Sequence, residues 1–133
     1  MTTPHTPHTT VSSTGLPENV AGALSYVLGP ITGILFLVLE KNSPFVRFHA
    51  AQSVAVSVVM IVLSIILSVL GAVLAVIPIL GWLIGLALTL VVGLGSFVLW
   101  ILLMLRAYQG SEWELPGVGA QARRLARQVP EVR

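Results

Sequence analysis

From Ala50 to Leu105 the chain carries no Lys, Arg, Asp, Glu or His; its polar side chains there are Gln52, five serines (53, 57, 64, 68 and 96) and Thr89. As one helix, this stretch would reach roughly 84 Å, against an apolar bilayer core about 30 Å thick. Two spans joined by a tight turn fit that length, and one span does not. Only 9% of the 133 residues are charged and 56% are hydrophobic. A soluble domain carries about 25% charged residues, so this chain lacks the polar surface to face water. Cysteine is absent, which excludes disulfides and thiolate chemistry. The five acids are Glu18, Glu40, Glu112, Glu114 and Glu131, too few and too scattered for a carboxylate metal site.

Read in order, the chain predicts an all-α integral membrane protein with three transmembrane helices. Residues 1–17 are polar and proline-punctuated, with Thr-Pro-His at 3–5 and again at 6–8. Having little to bury, they read as a disordered tail, and His5 and His8 as solvated residues rather than metal ligands. Residues 18–117 form the three-span domain, with spans at about 20–39, 50–76 and 79–105. Pro30 is expected to kink the first span near its middle. Residues 77–81, Ile-Pro-Ile-Leu-Gly, are the expected turn between the second and third spans. A fourth span would require a break at 93–96, Gly-Leu-Gly-Ser, and pieces too short to cross. Residues 118–133 form a short basic tail, in which Val118, Ala122, Leu125 and Val129 make an apolar stripe suited to lying on anionic lipid headgroups.

Small residues recur every four positions: Ser25, Gly29 and Gly33 in the first span; Ser64 and Ser68 in the second; Gly81, Gly85 and Gly93 in the third. Such ridges let helix backbones approach closely, within one chain, between copies or against a membrane-protein partner. The seven basic residues are Lys41, Arg47, Arg106, Arg123, Arg124, Arg127 and Arg133. With three spans, the 40–44 turn and the C-terminal tail share one side, and the N-terminal tail and the 77–81 turn share the other. The positive-inside rule then predicts a multi-pass cell-membrane protein with its N-terminus outside and C-terminus cytoplasmic. Glu40, Arg47, His49, Gln52 and Arg106 would form a polar layer near the cytoplasmic surface, with Arg47 or Arg106 pairing Glu40. No catalytic residue or metal ligand is assigned: one His and one Glu make no triad, and HExxH, P-loop and GxSxG patterns are absent. No cofactor or nucleic-acid partner is expected.

Three segments also carry a family resemblance: ENVAGALSYVLG at 18–29, GILFLVLEKNSPFVRFHAAQS at 33–53 and RAYQGSEWELPGVG at 106–119. Over about residues 17–122 the chain resembles the DUF4870 or UPF0132 family of small prokaryotic membrane proteins, a family similar to the Tic20-like group. Ala120 stands where the family's tail often has an Asp, so no role for that carboxylate carries over. The resemblance implies a helical membrane protein of unassigned activity. With the small-residue ridges, it points to a non-enzymatic structural or interaction protein. The alternative is a component of a membrane transport or protein-translocation pore, as in the Tic20-like group.

Overall fold

A computed structural model of the chain describes residues 11–129. Five helices follow one another: α1 (Glu18–Leu24), α2 (Pro30–Leu39), α3 (Pro44–Leu74), α4 (Leu80–Tyr108) and α5 (Gly119–Gln128). The two long ones, α3 and α4, are apolar and long enough to cross a membrane. At 1.5 Å per residue they run roughly 46 and 44 Å, more than the thickness of a bilayer's apolar slab. Ser43 starts α3, its hydroxyl accepting from the Val46 amide, with Pro44 at the first helical position. The α3–α4 turn covers 75–79, close to the expected position. α4 passes through Gly93–Ser96 without a break.

The first apolar segment departs from expectation. It is not one kinked helix but two helices separated by residues 25–29. Pro30 has no N–H and its ring collides with the carbonyl four residues back, so the helix cannot continue through it. Gly29 takes φ +58°, a left-handed conformation open to glycine, and the chain reverses there. The course can be followed along α3. A Cβ on Gly22 would meet Phe45 and His49; Tyr26 reaches His49; Gly29 lies against Ser57; Gly33 returns to Ala50 and Ser53; and the Leu37 carbonyl meets Arg47. The segment therefore goes in and comes back, as a re-entrant hairpin.

Both ends of this hairpin sit at the same pole, where α3 begins and α4 ends. The Asn19 amide donates to the Tyr108 carbonyl at 3.0 Å, and Ser13 binds Glu40. The expected placement of residues before the first span opposite the 40–44 turn is thus corrected. Residues 11–17 form a turn, closed by the Ser12 N–H to Leu16 carbonyl bond at 2.8 Å. The Thr-Pro-His repeats with His5 and His8 lie outside the described residues.

A chain reversal in an apolar setting must still satisfy its backbone. Side chains do this here. Trp100 Nε1 donates to the Tyr26 carbonyl at 2.7 Å, Ser53 Oγ to Gly29 at 2.9 Å, and Thr32 Oγ1 to Ser25 at 3.0 Å, while the Leu28 amide donates to Thr32 Oγ1. The buried core lies wholly at this pole: Ala21, Phe36, Leu37, Val46, Phe48, Ala50, Ala51 and Ala122 form one cluster, and Tyr26, Leu103 and Ala107 another. Beyond residue 57, α3 has no buried residue, and its valines and isoleucines are exposed.

Candidate functional site

The pole that holds the core also holds a polar layer. Glu40, His49 and Gln52 are fully buried, and Arg47 is 9% exposed. Each is placed by local structure: Glu40 just past the end of α2, the other three in the first turns of α3. Arg106, expected in the same layer, is exposed in the last turn of α4, with its guanidinium 5.9 Å from the Trp113 ring centroid. The expected pairing of Glu40 with Arg47 or Arg106 does not form. Among the described residues, the ion pairs join Arg123 to Glu112 and to Glu114.

Glu40 is held by amides. Its carboxylate accepts from the backbone N–H of Ser13, Asn42 and Ser43, each at 3.0 Å, and from the Ser13 hydroxyl at 2.9 Å. Burial pushes this carboxyl up, but the hydrogen bonds from Ser13, Asn42 and Ser43 outweigh it and hold the group below its ordinary value. A carboxyl lowered by folding contributes stability above its unfolded value, near 4.5, and loses that contribution as pH falls through the folded value. Acidification below about 4.5 should therefore release the 12–16 loop, followed by exchange of the Ser13 amide. In Glu40→Gln that protection should start lower and lose its acid dependence.

Arg47 acts on carbonyls. Nη1 donates to Leu37 and Glu40, both at 2.9 Å, closing the end of α2. Nη2 donates to Ala126 at 2.8 Å and Val129 at 2.6 Å, closing the end of α5, where the helix dipole also favours a cation. One planar guanidinium thus ties three helices.

His49 and Gln52 join a third group that sequence reasoning did not select, Tyr26. A carbonyl can only accept, so the 2.9 Å bond from His49 to the Ser111 carbonyl puts the proton on Nε2. Nδ1 then accepts from the Tyr26 hydroxyl at 2.9 Å, and that hydroxyl accepts from Gln52 Nε2 at 3.1 Å. Gln52 also donates to the Trp113 carbonyl and accepts from the Leu115 amide, both at 3.2 Å. Phe45 and Phe48 stand edge-on to the imidazole. The network clasps the irregular segment 111–115 onto α3. Both imidazole nitrogens are hydrogen-bonded within the chain. A lone tyrosine in an apolar run was the available signal for this hub, since a buried hydroxyl needs a partner.

The expected lipid-facing stripe of the C-terminal tail turns inward. Ala122 is fully buried on the α3 cluster, with Leu125, Ala126 and Val129 packed beside it. Arg123 lies 4.4 Å from the Phe48 ring centroid and binds Glu112 and Glu114. Its pKa is raised, first by the Glu114 hydrogen bond. Arg124 and Arg127 remain exposed on the outer face.

The small-residue ridges divide into two groups. Ser25, Gly29 and Gly33 are used within the pole: Ser25 is fully buried, and a Cβ on Gly33 would stand 3.0 Å from the Ala50 carbonyl. Gly81 sits where α4 crosses the end of α3, with 1.8 Å between its would-be Cβ and the Leu74 carbonyl. Ser64, Ser68, Gly85 and Gly93 instead line an open cleft of about 500 Å³ between α3 and α4, joined by Gly71. No atom lies within 4 Å of where a Cβ on Gly71, Gly85, Gly93 or Gly95 would stand. Among the described residues no three His, Asp or Glu side chains gather to hold a metal ion.

The model of a family described as the magnetosome magnetite crystal formation protein family matches residues 16–121, from just before the re-entrant hairpin into α5. A UPF0132 membrane protein of Methanocaldococcus jannaschii is 46% identical, over 81% of this chain and 87% of that protein. One from Archaeoglobus fulgidus is 48% identical, over 78% of this chain and 90% of its own length. A second M. jannaschii UPF0132 membrane protein is 35% identical, over 86% of this chain and 74% of that protein. No solved structure matches the chain. The matched region takes in the hairpin, the polar layer and both long helices, and the chain is therefore a member of the UPF0132 membrane protein family and of the magnetosome magnetite crystal formation protein family that the matching model defines.

Proposed function

We propose that this is a non-enzymatic, multi-pass membrane protein that works by helix packing through the α3–α4 cleft. Both long helices cross the bilayer, and the pole carrying the re-entrant hairpin, the polar layer and α5 lies at the cytoplasmic surface. Lys41, Arg47, Arg106, Arg123, Arg124 and Arg127 all fall at that pole, and the 75–79 turn carries no charge. The positive-inside rule then puts residues 11–17 and α5 on the same, cytoplasmic side of the cell membrane. Exposed Arg124, Arg127 and Lys41 are placed there to meet anionic headgroups.

The observation that carries the packing role is the empty side of the glycines. In lipid, helix association depends on close van der Waals contact, and a small-residue face with nothing against it offers that contact to another helix. A second copy of the chain is the simplest occupant. Single cysteines at Ser68, in the cleft, and Val62, outside it, test this in reconstituted protein. Ser68→Cys should crosslink copies and Val62→Cys should not. Gly85→Leu with Gly93→Leu should weaken association by roughly tenfold, about 1.4 kcal/mol. Equal crosslinking at both positions would end the reading.

A transport or Tic20-like translocation component needs an open polar lining. Glu40, Arg47, His49 and Gln52 spend their hydrogen bonds on the chain itself, and this favours packing over a path. In a liposome flux assay, wild type and His49→Ala should be equally silent.

A further inference from the structure

The protein's bulk is distributed unequally between the two membrane leaflets. Counting back from the 75–79 turn, a 30 Å slab takes about twenty residues of helix, which places its other boundary near Val54 on α3 and Trp100 on α4. The hairpin tip, Gly29, lies against Ser57, and the Tyr26 carbonyl against Trp100. The tip thus dips only a few ångström past that boundary. Around it, Leu28, Ile31, Ile34 and Leu35 are between 50% and 68% exposed and apolar. Leu28 and Ile31 reach the outer part of one leaflet's acyl region, and Ile34 and Leu35 lie at its headgroup boundary. At that level α1 and α2 surround α3 and α4, with α5 packed on the polar side. In the opposite leaflet, among the described residues, only α3 and α4 are present, spread by the cleft that Ser64, Ser68 and Gly85 line.

Helices are 10–12 Å across, so two additional ones displace on the order of 200 Å² of lipid area near the headgroups of one leaflet and none in the other. Charge adds to the asymmetry: Lys41, Arg124 and Arg127 are exposed at the crowded pole, and the far turn is uncharged. Shallow apolar insertion beneath a basic surface favours a leaflet whose headgroups are spread apart.

We propose that the molecule is a wedge that prefers a lipid surface convex on its basic side, and that the re-entrant hairpin is the widening element. Its partner in this role is an anionic, outwardly curved bilayer. The inference rests on the reading that α3 and α4 cross the membrane, and the experiment separates the two. Full-length protein, dye-labelled at a single Gln128→Cys, is reconstituted into small sonicated and large extruded vesicles of one phosphatidylglycerol-containing composition. Protein per lipid is read by flotation after an alkaline wash, and orientation by quenching of the dye from outside. The wedge predicts a several-fold higher density in small vesicles, with Gln128 outward. Ile31→Ser with Ile34→Ser should reduce that ratio towards one. Arg124→Gln with Arg127→Gln should keep the ratio while lowering the dependence on anionic lipid. Equal density in both sizes, or Gln128 facing inward in small vesicles, overturns the wedge and leaves the two-span reading standing. Loss from the vesicles on the alkaline wash overturns the two-span reading and the wedge with it.

Discussion

Replacing Arg47 with leucine should free α5 from the rest of the molecule. The substitution removes one guanidinium and leaves the carbonyls of Leu37, Glu40, Ala126 and Val129 without their donors. Stripping one side of a buried charged network costs about 3 kcal/mol or more, because the remaining polar groups keep their desolvation penalty. At that cost the open state of α5 rises by a factor of about 100. Tryptic cleavage after Arg124 and Arg127, slow in the docked helix, should rise accordingly in detergent-solubilised protein. Lysine should not rescue it. An ammonium is a point charge with three donors, whereas four carbonyls here are met by a planar fork. Unchanged cleavage in Arg47→Leu would mean that α5 is held by its apolar stripe alone.

Gly81→Ala is the second large expected effect, for a different physical reason. The new methyl would stand 1.8 Å from the Leu74 carbonyl oxygen and 2.6 Å from its carbon. Both are backbone atoms, so relief requires the 75–79 turn to move, and Ile79 already holds φ +67° there. Overpacking of this kind costs about 3 kcal/mol. Gly85→Ala, one turn along the same face, meets nothing within 4 Å. It should be neutral or stabilise α4 by up to about 1 kcal/mol through helix propensity. Thermal unfolding of the two variants in one detergent checks the contrast. Equal melting temperatures would show that α4 does not cross α3 at Gly81.

Much of the fold was legible because charge and hydropathy act over long stretches. The uncharged run after His49 required two helices and one turn, and the polar positions in the first turns of α3 pointed to a layer at one pole. What was not legible depends on single backbone angles and on contacts between distant residues. Twenty uncharged residues before Glu40 have the length of a span, and their composition does not reveal that Gly29 reverses the chain. The signs of reversal sit elsewhere, in Trp100, Ser53 and Thr32, whose donors meet the freed carbonyls. Glu40 looked like an acid awaiting an arginine, because ion pairing can be read from charge signs. Capping by the amides of Ser13, Asn42 and Ser43 cannot, since every residue but proline has an amide. The stripe on α5 was legible as apolar, but what it faces is decided by Ala122 meeting the α3 cluster, a contact about seventy residues apart in the chain.

The central claim is that the first apolar segment enters and leaves by the same face. The chain has no native cysteine, so single cysteines report position without background. Maleimide labelling in intact cells or sealed vesicles, at Thr14, Lys41, Ile77 and Gln121 in turn, tests the claim directly. Thr14, Lys41 and Gln121 should label together from the cytoplasmic side, and Ile77 alone from the other. Labelling of Thr14 together with Ile77 would contradict it, since residues 18–39 would then cross the membrane as a third span.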